Sequence, residues 1–111
     1  MEIINNITND PKQRFQLYVD EEILYINLYY YVTQQSWFFD IEYKDYVCRG
    51  MRVTLTPNAL KHLTNILPFG ISFFTNSNAE PYNIDDFSSK RVIMILLNKD
   101  EVAEIESEIF Q

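Results

Sequence analysis

The stretch Gln34 to Ile41, QQSWFFDI, limits the possible folds more than any other part of this chain. Polar turn residues run directly into the only tryptophan and two phenylalanines. Written as a strand, Trp37, Phe39, Ile41 and Tyr43 point to one side, and Phe38, Asp40 and Glu42 to the other. Aromatic side chains bury the most area of any residue, so the Trp37 side is expected to face a core. Glu22 to Val32, just before, also has strand character. Thr33 to Ser36 then becomes the loop of a hairpin, the expected centre of a small antiparallel β domain.

The 111 residues are expected to form one domain spanning 1–111. With 47% hydrophobic and 15% aromatic residues the chain is too apolar to be disordered, and a packed globule follows. A formal charge of −7, with nine scattered Lys and Arg, disfavours binding to a phosphate backbone. Cys48 is the only cysteine, which excludes an intrachain disulfide and a cysteine-based zinc site within one chain. The start, MEIINNITNDPKQ, lacks the pattern of a signal peptide. The longest apolar run falls well short of the roughly 20 residues that span a bilayer. The expectation is a soluble protein, used or assembled inside a cell, without membrane insertion.

Taken in order, Ile3, Ile4 and Ile7 make either an edge strand or a loosely ordered terminus. Asn9-Asp10-Pro11 is a turn. Arg14 to Val19 alternates, with Phe15, Leu17 and Val19 on one face. Asp20-Glu21-Glu22 is a tight acidic turn. In the next strand Leu24, Ile26, Leu28 and Tyr30 form one face and Tyr25, Asn27, Tyr29 and Tyr31 the other. That second face suits contact with a partner, though tyrosines also serve simply as strand formers. A further strand is expected from Tyr46 to Leu55, with Gly50 marking a bulge or a close backbone approach. Ala59 to Leu67 has Leu60, Leu63 and Leu67 at helical spacing, which suits a short helix or turn, and Pro68 stops it. Gly70 to Thr75 is a strand. Asn76 to Ser89 is a long polar loop anchored by Pro81, Tyr82, Ile84 and Phe87. Val92 to Leu97, VIMILL, reads as a buried strand. Asn98 to Gln111 reads as a helix with Asp100 as N-cap and Val102, Ile105 and Ile109 as its apolar stripe.

Catalytic templates fail for lack of parts. His62 is the only histidine and has no nucleophile motif beside it; most catalytic zinc sites need two. Glu80, Asp85 and Asp86 form the densest acidic group in a loop. They could hold a hard cation or act as acid and base, but the calcium-loop pattern is absent, and a solvated or salt-bridged loop fits better. With Gly50 and Gly70 the only glycines, no glycine-rich phosphate loop exists. No catalytic residue, cofactor or metal is expected.

One order of signals remains. Asn9-Asp10-Pro11 is followed by Gln13-Arg14-Phe15, then by Trp37-Phe38-Phe39-Asp40-Ile41, and then by Gly50 ahead of a strand. Leu63 and Leu67 lead into Phe69-Gly70-Ile71, and the Glu80-Pro81 and Asp85-Asp86-Phe87 loop precedes a final apolar strand. From about Asn9 to Leu97 this run resembles the small baseplate plug proteins of tailed phages, typified by those of cyanophage contractile tails. The resemblance implies a structural virion protein of the phage tail baseplate, assembled in the host cytoplasm. It would sit by hub and tail-tube proteins, in several copies, and help close the tube end before ejection. An acidic surface would suit a channel through which DNA passes without sticking.

The fold expected is mainly β: a small antiparallel sandwich or partly open barrel of about six strands, with a short helical segment and a C-terminal helix. Ile3, Ile4, Tyr25, Tyr29, Tyr31, Tyr82 and Phe87 are the interface candidates; Leu28, Trp37 and Phe39 belong to the core. The alternative is a small β-barrel binding module for a glycan or other ligand, using aromatic platforms.

Overall fold

The computed structural model describes residues 2–63, 66–75, 77 and 79–109, of which 106–109 are described by backbone alone. Among the described residues, seven strands form two antiparallel sheets. Strands β2 (Lys12–Val19), β3 (Glu22–Tyr31), β4 (Ser36–Tyr43) and β5 (Tyr46–Arg52) make a four-stranded meander in that order. Strands β1 (Glu2–Ile3), β6 (Phe69–Thr75) and β7 (Val92–Asn98) make a second sheet, ordered β1-β7-β6. The sheets stack as a sandwich and do not close into a barrel. A helix, α1 (Lys99–Ile109), follows β7.

Period-two alternation explains the meander. Leu24, Ile26 and Leu28 on β3 and Trp37, Phe39, Ile41 and Tyr43 on β4 are all buried, and their neighbours in sequence face outward. The pairing of Leu28 with Phe39 and of Ile26 with Ile41 places those residues side by side on the inner face. Aromatic rings then join the sheets. Phe39 meets Phe73 at 5.4 Å and Tyr43 meets Phe69 at 5.1 Å between ring centroids. The Tyr43 hydroxyl donates to the Val19 carbonyl at 3.0 Å, so its polar tip is satisfied while its ring fills the core.

Two hairpins turn on two residues each, since Val19 faces Glu22 and Tyr43 faces Tyr46. Asp20 and Glu21 both have positive φ, as the twist of such a turn requires, although neither is glycine. The expected bulge is present. Between the Phe39–Met51 and Ile41–Cys48 pairs, Asp40 on β4 faces both Arg49 and Gly50 on β5, and Gly50 takes a φ of +75°.

The structure decides between some expectations and corrects others. The N-terminus is an edge strand: Glu2 and Ile3 pair with Leu96 and Ile95, and Ile4 and Ile7 are core residues. The strand expected to reach Leu55 ends at Arg52, because the chain leaves the meander there and bridges Thr56 to Phe73 on the other sheet. The leucine-spaced segment is the short helical stretch or turn expected: among its described residues Lys61–Leu63 form a 3₁₀ turn. Leu60, Leu63 and Leu67 are still buried. The N-cap of α1 is Asn98 and not Asp100. The Asn98 Oδ1 accepts from the Glu101 amide at 2.8 Å, and the Glu101 Oε1 accepts from the Asn98 amide at 3.0 Å, a reciprocal capping box. In the expected stripe Val102 is buried and Ile105 half-buried; the side chain of Ile109 lies outside the described residues.

Candidate interaction surfaces

A sandwich has two outer faces, and here they differ in chemistry. On the four-stranded sheet the outward positions of β3 are Tyr25, Asn27, Tyr29 and Tyr31. Opposite them stand Lys12, Arg14 and Gln16 on β2 and Phe38, Asp40 and Glu42 on β4. Tyr29, Tyr31 and Phe38 form one aromatic cluster with centroids 5.3 to 6.0 Å apart. The Arg14 guanidinium lies 4.3 Å from the centre of the Tyr25 ring. A shallow groove of about 620 Å³ runs across this face, lined by Lys12, Arg14, Tyr29, Tyr31, Asp40 and Arg49 among others.

The floor of that groove is fixed by Asp40. One carboxylate oxygen accepts from the Tyr29 hydroxyl at 2.9 Å and from the Gly50 amide at 2.8 Å. Burial raises the Tyr29 phenol to about 12, and the carboxylate it faces adds to the shift, so it remains a hydrogen-bond donor throughout the physiological range. The bulge at Gly50 brings Arg49 to the groove.

The outer face of the three-stranded sheet is aliphatic. Residues Ile3, Ile95 and Ser72 share one row, and Ile93 and Phe74 the next. Helix α1 covers one end of this face, where Leu97 is buried and a Cβ on Gly70 would come within 2.8 Å of Val102. The rest is open: Phe74 is 57% and Ile3 49% exposed, and Ile93 and Ile95 are half-buried. Beside it an apolar groove of about 540 Å³ runs between Pro57, Phe74, Ile95 and Ile105. The continuous run VIMILL suggested burial on both sides and concealed this partly open face.

The long loop is a cap on the core. Trp37 donates from Nε1 to the Asn83 carbonyl at 3.1 Å, and Tyr30 donates its hydroxyl to the Tyr82 carbonyl at 2.7 Å. Phe87 packs edge-on against Trp37 at 5.3 Å. Asp86, only 3% exposed, holds the loop together. Its two oxygens accept from Arg91 Nε and Nη2, both at 2.7 Å, and Oδ2 also accepts from the amides of Tyr82 and Asn83 at 2.8 Å. Arg91 in turn donates to Ser77 and to the carbonyls of Ala79 and Glu80. The salt-bridged reading of the acidic loop therefore holds for Asp86. Glu80 instead accepts from the Leu55 amide and Asp85 from Asn9. Among the described residues no cluster of His, Cys, Asp and Glu has the makings of a metal site, and no helix is long and apolar enough to cross a membrane.

The residues singled out from sequence therefore divide. Tyr31 and Tyr82 are exposed, at 49% and 53%, and so is Ile3. Tyr25 and Tyr29 are half-buried on the outer face. Ile4 and Phe87 are corrected to core residues, 8% and 2% exposed; polar neighbours in sequence made both look like surface. The exposure of Phe74 has no sequence signal, because a hydrophobe in an apolar strand gives no sign of which side is uncovered.

Comparison with known proteins adds one finding. No curated protein matches the chain. The family described as cyanophage baseplate Pam3 plug gp18 matches residues 1–99, ending where α1 begins. All seven strands fall inside that match, and the chain belongs to the cyanophage baseplate plug family.

Proposed function

We propose that the chain is a structural protein of a phage tail baseplate, and that it acts as a plug against hub and tail-tube proteins to close or stabilise the tube end before ejection. The observation that carries this reading is the family match over the whole sandwich. The two exposed outer faces support it. A structural part works by burying surface against neighbours, and apolar and aromatic side chains on a rigid sheet are suited to that task. Ile3, Tyr25, Tyr29, Tyr31 and Tyr82 are the contact residues proposed, with Phe74 added. The chain would act as a single domain, without chemistry of its own, in several copies assembled in the host cytoplasm, and without binding nucleic acid specifically or entering a membrane. A net charge of −7 would keep passing DNA from adhering.

The test is mass spectrometry and immunogold labelling of purified virions. A label at the distal end of the tail in a small fixed copy number is the expected result; absence from the particle overturns the reading. Reversing acids that face the lumen should slow ejection, and unchanged ejection kinetics would count against the charge argument.

A further inference from the structure

Charge on the four-stranded sheet is segregated in a way the overall count of −7 conceals. Four of the nine Lys and Arg lie on or beside its outer groove: Lys12, Arg14 and Arg49 in the lining, and Arg52 opposite Phe38. Among the described residues Lys12, Arg49 and Arg52 form no ion pair; Arg14 makes a 3.7 Å contact with Glu42 between two half-exposed side chains, donates to Asn27 Oδ1 at 3.3 Å and lies over the Tyr25 ring. Asp40, the acid in the groove, is already engaged by Tyr29 and Gly50.

The other end of the same sheet is acidic. Its two hairpin turns present Asp20, Glu21, Glu22 and Asp45, all exposed, with Lys44 among them and Lys99 lining the same hollow as Asp20 and Asp45. Among the described residues none of these four acids forms an ion pair. Arg14 and Asp20 are six residues apart along β2, roughly 20 Å at strand spacing, so the Asp20-Glu21 turn does not reach Arg14 of its own chain.

We infer that the groove receives the acidic hairpin turn of a second copy of this chain, with Arg14 and Arg49 taking the carboxylates of Asp20 and Glu21. Cations around a concave aromatic floor, of which only Arg14 has a weak and half-exposed ion contact, and unpaired acids on a narrow protruding turn are complementary in both charge and shape. Arginine forks suit carboxylates, and the tyrosine rings offer flat area at small entropy cost. Because donor and acceptor surfaces differ, copies associate either reciprocally in a closed pair or head to tail in a ring. The inference needs no assumption about position in a tail, so it can fail while the baseplate reading stands, and the reverse.

Sedimentation velocity on the full chain, at about 50 mM and about 1 M salt, is the test. Concentration-dependent association is expected at low salt and its loss at high salt. Arg14→Glu with Arg49→Glu should weaken association roughly tenfold or more, as should Asp20→Lys with Glu21→Lys. Combining all four reversals exchanges the charges and should restore association. Mixing the two double variants should also restore it in part, since each retains one intact surface. Thermal melts confirm that the variants fold. A chain that stays monomeric in both salts, an association indifferent to the reversals, or a fourfold variant that stays dissociated would each overturn the inference.

Discussion

A carboxylate as enclosed as Asp86 is tolerable only if every lone pair is used, and here every contact favours the charged form. Burial alone would push its pKa up. The Arg91 fork and the amides of Asn83 and Tyr82 outweigh that, and the net pKa falls below the ordinary carboxyl value of 3.8. A depressed folded-state pKa gives stability that is present in full above the unfolded value and is lost as pH falls through the folded one. Asp86→Asn should therefore cost about 3 kcal/mol at neutral pH, because Arg91 loses its charge partner in a mostly buried site. In urea titrations the gap between wild type and variant should narrow as pH drops below about 4. A gap that stays constant down to the acid end would show that Asp86 acts only by packing. The sequence pointed to a solvated or salt-bridged acidic loop but did not mark Arg91 as the partner. The two residues are five apart in a polar loop, and only the docking of Phe87 against Trp37 buries the acid between them.

At the scale of elements, the two glycines are required for opposite reasons, and substitution separates them. Gly50 has open space where a Cβ would go but a φ of +75°, so its constraint is conformational. Gly50→Ala should cost about 1–2 kcal/mol, and Gly50→Asn less, since Asn tolerates the left-handed region. Gly70 has no such φ, but an added Cβ would lie 2.7 Å from Asn58 Oδ1 and 2.8 Å from Val102. That oxygen accepts the amides of Leu60 and Ile71 and cannot readily move. Gly70→Ala should cost about 2 kcal/mol by overpacking, and Gly70→Asn more. Chemical denaturation of the four variants checks both orders. The acidic turn offers a third case. Asp20→Asn with Glu21→Gly installs the preferred residues for two positive φ angles and should raise stability by about 1 kcal/mol. The same change would weaken the self-association inferred above, so a more stable but more dissociated protein is expected. These elements were readable in unequal degree. Alternation on β3 and β4 fixed which side met the core, and Gly50 signalled a bulge. The segment at Lys61–Leu63 was readable as a short helix or turn but not as one rather than the other, because leucines three and four apart satisfy both.

For the whole molecule, the sandwich is closed by aromatic pairs within and left open by chemistry without. Its aliphatic outer face offers Ile3, Phe74, Ile93 and Ile95 side by side, with α1 covering only one end. A monomer gains nothing from exposing such a row, and we propose this contiguous apolar patch as a contact surface. The sequence could not show this, since a strand of six apolar residues is compatible with two covered faces, and what covers the second is decided by where α1 lands. A charge placed in the row separates folding from assembly. Phe74 points away from the core, so Phe74→Asp should change unfolding free energy by about 0.5 kcal/mol or less. The cost should fall on association, because a carboxylate at the centre of an interface is left desolvated and unpaired. In a phage carrying the variant gene, particles should contain at least tenfold less of the protein by quantitative mass spectrometry, whereas Arg14→Glu, on the opposite face, should alter the copy number per particle. Normal incorporation of a folded Phe74→Asp protein would remove this face from the assembly and leave the aromatic-cationic groove and the loop at Tyr82 to carry it.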